Sequence, residues 1–302
     1  MRAISQDVLG GPEVLREIDI DRPTPGPAEV LVRVHAAGLN PTDWKHRATG
    51  GLLGDPPFIL GWDVSGTVEE VGLGVTFHAP GDEVFGMLPY PNGAGAYAEY
   101  VKAPSRTFVK KPANIDHIQA AALPLAALTA YQSLEAANLQ PGQRVLIHAA
   151  AGGVGHLAVQ LAKSKGAHVI GTASQAKHAF LKSLGADELI DYKTTDFAET
   201  LKDIDLVIDG IGGDYGPRSL KTLAPTGTLV SLVLSNLADL PPTKTLELLV
   251  EQDRAHLEEI AALAATGRLK AEIAAVHPLA EAAKAHHQGE SNRTTGKLVL
   301  TP

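Results

Sequence analysis

The sequence predicts an α/β protein in which an all-β domain is followed by a parallel, doubly wound sheet of the dinucleotide-binding type. Three observations lead to this prediction. Residues 1–115 contain short alternating strands separated by proline and glycine turns, and residues 143–253 alternate strands with helices. A glycine-rich turn joins the first strand of that alternation to its helix. The chain has 302 residues, which is long enough for two domains.

The first 115 residues are predicted to form a small β-barrel. Polar and apolar residues alternate over residues 14–20 and 29–35, and turn-forming prolines and glycines follow each run. Many short strands punctuated in this way are typical of a barrel. Residues 118–123 and 125–137 then change to a helical period, with Pro124 between them.

A glycine-rich turn at residues 148–155 is the strongest signal in the chain. Residues 145–147 form a short apolar run typical of a buried parallel strand. Apolar residues then recur at spacings of three and four over residues 154–162, which predicts a helix buried on one face. The backbone N–H groups at the start of such a helix can bind a pyrophosphate. Ala150 occupies the place of the first glycine in the usual G-x-G-x-x-G motif. The residues predicted to contact the phosphates are Gly152, Gly153, Val154 and Gly155. The alternative is a glycine-rich connection that binds nothing.

The rest of the chain continues the alternation of strands and helices. Further strands are predicted at residues 169–170, 189–190, 206–208 and 227–233, with a possible edge strand at 246–250. A helix over residues 176–184 is followed by Gly185, where a glycine cap belongs. The short link over residues 234–245 leaves little room for a helix. The tail begins with a helix at 254–266 and ends with a strand at 296–300.

Composition excludes several classes of protein. The formal net charge of −8 argues against a nucleic-acid or anionic-membrane partner, and no stretch is apolar enough to span a membrane. The chain contains no cysteine, so it can form neither a disulfide nor a thiolate metal site. The first residues contain no apolar signal segment, so we expect a cytoplasmic protein.

Residues 171–177 determine the predicted cofactor. A dinucleotide-binding unit that prefers NADH places a carboxylate here, about 20 residues after the glycines, to bind the ribose 2′-hydroxyl. This segment has no carboxylate, but Ser174 can donate a hydrogen bond to a 2′-phosphate and Lys177 can supply positive charge. The sequence therefore predicts NADPH. Alternatively, Ser174 caps the next helix and Lys177 is solvated, and both pairs of roles can coexist.

Three strings carry a family resemblance: HAAAGGVG at residues 148–155, GDEVFG at 81–86 and AYAEYV at 96–101. They resemble the medium-chain dehydrogenase/reductase superfamily, and most closely its zinc-free quinone oxidoreductase and enone (alkenal) reductase branch. The resemblance covers nearly the whole chain. It implies a co-chaperonin-like β-barrel catalytic domain in two parts, residues 1–115 and 254–302. An NADP-binding Rossmann domain, residues 116–253, lies between them. It also implies a homodimer, formed through the edge strand near residues 245–250.

The resemblance also bears on metal binding. Zinc-dependent relatives hold their catalytic metal with a cysteine and with the histidine of a "GHE" motif. In this sequence Asn40 takes the place of the cysteine, and Trp62 and Asp63 take the places of the histidine and glutamate. The four-cysteine structural zinc lobe is missing as well. We therefore predict no metal site, and we interpret His286 and His287 as a solvated helix end.

The string NPTDWK at residues 40–45 supplies the predicted catalytic residues. By resemblance, Asn40 lies beside the nicotinamide, Asp43 orders the pocket, and Lys45 lies near the reacting carbonyl. The alternatives are that Asn40 and Asp43 cap a helix and that Lys45 is an exposed helix lysine. The residues predicted to complete the cofactor site are Asn40, Thr129, Tyr192, Gly210, Ile211, Leu232 and Val233. Thr129 could instead be a buried helix threonine, and Asp209, before Gly210, a plain turn residue.

These residues together predict an NADPH-dependent oxidoreductase that transfers hydride to a quinone or an α,β-unsaturated carbonyl without a metal. Lys45 would polarise the carbonyl oxygen, with Tyr90 or Tyr97 as the next candidates. Two alternatives stay open. One is an enoyl-thioester reductase of a biosynthetic pathway, and the other is a protein that binds NADPH without turnover.

Overall fold

A computed structural model describes residues 1–233 and 240–302 and divides the chain into two compact units. Unit 1 comprises Met1–Leu128 and Glu251–Pro302, and unit 2 comprises Thr129–Val250. The first boundary therefore follows Leu128 rather than residue 115. The reason is that the helix His117–Ala121, assigned to the nucleotide domain from the sequence, packs on strands of unit 1.

Sixteen strands are found in the described residues. They are β1 Arg2–Gln6, β2 Arg16–Asp19, β3 Glu29–Gly38, β4 Phe58–Ile59, β5 Asp63–Val71, β6 Glu83–Met87, β7 Tyr100–Pro104, β8 Phe108–Lys110, β9 Arg144–Ile147, β10 His168–Ala173, β11 Glu188–Asp191, β12 Ile204–Asp209, β13 Leu223–Ser231, β14 Thr245–Glu247, β15 Ile273–Pro278 and β16 Lys297–Thr301.

The same residues contain nine α-helices. They are α1 Pro41–Thr49, α2 His117–Ala121, α3 Pro124–Ala136, α4 Gly155–Ser164, α5 His178–Ser183, α6 Phe197–Thr200, α7 Tyr215–Leu220, α8 Arg254–Ala265 and α9 Ala282–Glu290. No helix among these is both long and apolar enough to cross a membrane. The prediction of an all-β start was wrong at α1, because Pro41 at the first helical position and Asp43 near it favour a helix start there.

Unit 1 is built on a sheet in which the order is β15-β16-β3-β5-β6-β8, with β7 paired to β3. A second sheet has the order β2-β1-β4. Strand β16, from the end of the chain, pairs antiparallel with β3, so that Val299 lies opposite Gly38. This pairing brings the last residues of the chain beside the start of α1, where the candidate site lies.

Unit 2 contains a six-stranded parallel sheet with the order β11-β10-β9-β12-β13-β14. The chain leaves β9 toward β10 on one side and later returns to β12 on the other, which is the topological switch point where such sheets bind nucleotides. Large apolar residues of the central strands, including Leu146, Ile170, Val207 and Leu229, form the core. The predicted strands are confirmed, and so is β14 as the edge strand. The link over residues 234–245 lies partly outside the described residues.

Candidate active site

The two outer glycines of the turn between β9 and α4 have different surroundings. A Cβ atom on Gly155 would lie 2.4 Å from the carbonyl oxygen of Ala149 and 2.7 Å from the Cα of Ala150, so no other residue fits there. A Cβ atom on Gly152 would meet only the Ala149 oxygen, at 3.1 Å. Gly155 is therefore required for helix–strand packing. Gly152 has the one tight contact only, and the remaining space around it agrees with a ligand approaching at this point.

Ser174 and Tyr192 stand side by side in unit 2. They directly follow the paired strands β10 and β11, in which Ala173 lies opposite Asp191. Ser174 occupies the N-cap position of a short helical turn, yet its side chain makes no capping hydrogen bond among the described residues. Lys177 closes that turn and is partly buried, and burial lowers the pKa of its ammonium. A hydroxyl, an ammonium and a half-exposed phenol ring are thus presented at one end of the sheet.

The residues after β12 and β13 form a second neighbouring pair. The carboxylate of Asp209 accepts the backbone N–H groups of Ile211 at 2.8 Å and Gly212 at 3.1 Å, so the interpretation of Asp209 as a turn residue is confirmed. The N–H of Leu232 donates to the carbonyl of Asp209 at 2.9 Å. These bonds place Gly210 and Ile211 beside Leu232 at the carboxyl ends of their strands. Thr129 lies on α3, where its carbonyl accepts the hydroxyl of Ser133 at 2.7 Å.

In unit 1, Asn40 and Asp43 begin α1. The Asp43 carboxylate accepts the backbone N–H of Asn40 at 2.8 Å, so the helix-capping interpretation of Asp43 is confirmed. Both side chains are buried, whereas Lys45 lies on the exposed face of the same helix. The structure therefore brings Asn40 and Asp43 together and turns Lys45 to a different side of α1.

Asp43 stands at the end of a chain of hydrogen bonds whose direction is fixed. The guanidinium of Arg47 can only donate, so His286 Nδ1, 3.0 Å away, accepts. The proton of this neutral imidazole is consequently on Nε2, which donates to the Tyr97 oxygen at 3.1 Å. Tyr97 then donates its hydroxyl hydrogen to Asp43 Oδ2 at 2.8 Å. Since Oδ2 also accepts from Asn40, a proton on Asp43 must reside on Oδ1, which has no partner among the described residues.

Burial determines the protonation states of Asp43 and His286 in this series of hydrogen bonds. Desolvation raises the pKa of Asp43 to about 7, and the Asp63 carboxylate nearby acts in the same direction. Desolvation also lowers the pKa of His286 to about 3, as does the Arg47 guanidinium beside it. The prediction that His286 is a solvated helix end was wrong, because its side chain is fully buried against Tyr97, whereas His287 is exposed.

A second buried group surrounds the Asn40 carboxamide. Its Nδ2 donates to Asp63 Oδ2 at 2.8 Å, and its Oδ1 accepts from the ammonium of Lys297. Lys297 also donates to the carbonyl of Leu39 at 2.7 Å, and Asp63 Oδ1 accepts the N–H of Leu125 at 2.8 Å. Asp63 is fully buried and Lys297 is 2% exposed. These contacts hold an ammonium, a carboxamide and a carboxylate in one row.

Trp62 and Asn40, at the places of the zinc ligands in metal-dependent relatives, contribute no metal-binding geometry. Trp62 is fully buried and packs against His46, with ring centroids 5.1 Å apart, and against Tyr90, at 5.2 Å. Across the described residues, no three His, Asp or Glu side chains converge on a point that could hold a metal ion.

Sequence reasoning missed the roles of Lys297, Tyr97, His286 and Arg47 in this cluster. A lysine at the start of an otherwise apolar strand, residues 297–300, was the available signal for Lys297. The others come from segments far apart in the chain, and only the fold brings them to Asp43.

Comparisons with known proteins agree with this architecture. Residues 26–113 match the family model described as "alcohol dehydrogenase GroES-like domain", and residues 184–300 match "zinc-binding dehydrogenase". The chain is 34% identical to a 2-haloacrylate reductase from Burkholderia sp over 97% of this chain and 96% of that protein.

Two solved structures cover the whole chain. The structure of the quinone oxidoreductase from Coxiella burnetii is 40% identical, with a TM-score of 0.95, over 100% of this chain and 99% of that one. That of the Escherichia coli quinone oxidoreductase complexed with NADPH is 31% identical, with a TM-score of 0.91, over 100% of both chains.

Proposed function

Because this chain belongs to the medium-chain dehydrogenase/reductase superfamily, in its zinc-free quinone oxidoreductase branch, we propose that it is an NADPH-dependent reductase of quinones or α,β-unsaturated carbonyls. The relatives named above reduce a quinone or a 2-haloacrylate by name, and one was solved with NADPH. The observation that carries the proposal is the pair of neighbouring strand ends in unit 2, which present Ser174, Lys177 and Tyr192, with no carboxylate in residues 171–177.

We assign the dinucleotide to the carboxyl ends of the parallel strands of unit 2. The pyrophosphate is proposed to bind at the start of α4, where Gly152 has no side chain to obstruct its approach and the helix dipole favours an anion. The adenosine ribose is assigned to the turn after β10. There Ser174 donates a hydrogen bond to the 2′-phosphate and the Lys177 ammonium neutralises it. A carboxylate at this place would repel the phosphate, so its absence supports NADPH over NADH.

The bound nicotinamide supplies a hydride, and the chain's own residues manage the charge that follows. When hydride forms a bond to the β-carbon of an enone, an electron pair moves to the carbonyl oxygen, and one proton completes the reduction. The oxygen therefore needs a hydrogen-bond donor. We propose that Lys45 is this donor, and that Asn40 lies beside the nicotinamide. The O–H of Tyr97 is already directed at Asp43, which makes Tyr97 the weaker candidate for that role.

The proposed reaction requires no metal. The carboxamide oxygen of Asn40 already accepts a hydrogen bond from the Lys297 ammonium, and the indole of Trp62 is no ligand for zinc. Polarisation of the substrate therefore falls to hydrogen-bond donors of the chain.

An assay of NADPH oxidation at 340 nm with a panel of quinones, enones and enoyl thioesters tests this function. We expect turnover with a quinone or enone that persists after dialysis against a zinc chelator. Turnover with enoyl thioesters alone would favour the biosynthetic alternative. NADPH binding without turnover of any compound would favour a non-catalytic protein. A strict requirement for added zinc would contradict the proposed mechanism.

A further inference from the structure

The carboxamide of Asn40 is held in one orientation by two buried groups of opposite charge. Lys297 Nζ donates to its oxygen, and Asp63 Oδ2 accepts from its nitrogen at 2.8 Å. If the amide were rotated by 180°, its NH₂ group would face an ammonium and its oxygen would face a carboxylate. Both contacts would be repulsive, so the charges determine which atom points where.

The surrounding backbone is fixed by the same two residues. Lys297 Nζ donates to the carbonyl of Leu39, and the N–H of Leu39 donates to the carbonyl of Leu298 at 2.9 Å. Asp63 is anchored through its other oxygen by the N–H of Leu125 at 2.8 Å. The residue preceding Asn40 and both partners of its side chain are therefore held in place by hydrogen bonds.

A contribution to stability does not by itself account for two fully buried charges. Removing two ions from water costs more than their attraction usually returns, and apolar residues of the same volume often stabilise a fold at least as well. Here the ammonium and the carboxylate lie 3.7 Å apart, farther than a direct hydrogen bond, and each makes its shorter bond to Asn40. The positions of these two charges are therefore explained better by their hydrogen bonds to the Asn40 carboxamide than by a direct ion pair.

We propose that Lys297 and Asp63 are positioning residues for Asn40, and that they set the direction of its second Nδ2 hydrogen toward the nicotinamide end of the bound dinucleotide. One Nδ2 hydrogen is directed at Asp63, which leaves the other to meet the cofactor. This inference rests on the proposed function, because that function places Asn40 beside the nicotinamide. A displacement of about 1 Å at such a contact can reduce turnover by about 100-fold.

A double-mutant cycle tests the proposal. Lys297→Met keeps the length of the stem and removes the charge, and Asn40→Ala removes the group to be positioned. We expect Lys297→Met to lower kcat/KM by about 10- to 100-fold in the natural background but by less than about threefold beside Asn40→Ala, because a positioning residue loses its effect when its target is absent. Equal losses in both backgrounds would overturn the proposal.

A matched control and a second variant guard against loss of folding. Lys111 is another lysine of unit 1 whose side chain is buried, and it bonds to the Ile115 carbonyl at 2.7 Å and to Glu83 at 3.1 Å. Lys111→Met should leave the hydride-transfer isotope effect with deuterated NADPH unchanged, whereas Lys297→Met should increase it. If Lys297→Met does not fold, the variant Lys297→Met with Asp63→Asn removes both charges together, and the same cycle is measured with it.

The cycle also separates this inference from the proposed function. If the natural protein does not oxidise NADPH with any quinone or enone of the panel, the proposed function is wrong. The same double-mutant cycle is then measured with the NADPH dissociation constant in place of kcat/KM. Non-additive losses of NADPH affinity would still support positioning of Asn40. Additive losses in that constant would overturn the positioning proposal alone.

Discussion

The hydroxyl of Tyr97 donates to Asp43 Oδ2 at 2.8 Å, and this bond completes a chain of donors that begins at the guanidinium of Arg47. Because an arginine never accepts a hydrogen bond, the proton of every member is assigned without ambiguity. The consequence is that Asp43 accepts twice on one oxygen and can take up a proton only on the other. The cluster can therefore take up one exchangeable proton inside unit 1, on Asp43 Oδ1.

The titration of Asp43 should make stability depend on pH. Burial raises the pKa of this carboxyl from 3.8 to about 7, so the native state binds the proton more tightly than the unfolded chain does. This contribution is complete below about pH 4 and is lost as the pH rises through 7. At 1.36 kcal/mol per pKa unit, we expect a loss of roughly 2–3 kcal/mol between pH 5 and pH 7.5.

The variant Asp43→Asn isolates this effect in urea unfolding experiments. An amide resembles the protonated carboxyl and cannot ionise, so the difference in unfolding free energy between the natural protein and the variant should fall over that interval. Buried histidines such as His148, with a pKa lowered to about 3, act in the opposite direction, but they are common to both proteins. A difference that stays constant with pH would show that Asp43 does not titrate there.

Replacement by alanine of each of the two outer glycines of the turn should have different effects: on stability for Gly155 and on cofactor affinity for Gly152. Gly155→Ala forces a methyl group to within 2.4 Å of the Ala149 oxygen, and we expect it to lower the unfolding free energy by about 2–3 kcal/mol. Gly152→Ala makes one contact at 3.1 Å and should lower the unfolding free energy by less, yet weaken binding of NADPH and NADH roughly tenfold each, because both share the pyrophosphate. Unchanged affinity of Gly152→Ala for both cofactors would contradict a phosphate role for Gly152.

The fold was predictable because its main signals are local. The short apolar runs, the glycine turn and the proline at the start of α3 each indicate an element within a few residues, and the parallel alternation then follows. Most of the buried cluster was not predictable, because a single arginine or histidine carries no local signal of burial; Lys297 alone had one, in the apolar strand that it begins. Arg47 and His286 become neighbours only when α9 contacts α1, and Lys297 reaches Asn40 only through the pairing of β16 with β3.

Cofactor preference should reside in Lys177. A charge-assisted bond to a 2′-phosphate is worth roughly 1.5–3 kcal/mol, which corresponds to about 10- to 150-fold in affinity. We expect Lys177→Ala to raise the NADPH dissociation constant by that factor and to leave that of NADH nearly unchanged, as measured by fluorescence titration. Lys193→Ala, which removes a lysine just after Tyr192, serves as a control. Equal losses for both cofactors would assign Lys177 another role.

Assembly is predicted to use the last strand of the sheet in unit 2. Strand β14 exposes 38% of Leu246 and is followed by Leu249, which is 43% exposed, and an apolar edge of this kind favours pairing with a second copy. We expect a homodimer by light scattering at micromolar concentration and a shift toward monomer in Leu246→Lys. A natural protein that is monomeric under these conditions would refute the prediction.

Lys45 is proposed to polarise the substrate oxygen, and its exposed position on α1 makes the prediction easy to isolate. Its side chain is solvated, so Lys45→Met should leave the unfolding free energy within about 0.5 kcal/mol of the natural value. Loss of one donor to a developing oxyanion typically costs about 10²–10³ in turnover, and we expect kcat to fall by that factor while NADPH affinity is retained. Lys284→Met removes another exposed helix lysine of unit 1, on α9, and should be fully active.

If Lys45→Met is as active as the natural protein on the best substrate, another group stabilises the oxyanion. Tyr90 would be the first residue to replace, because its hydroxyl lies 3.0 Å from that of Thr42, and either can donate to a third oxygen.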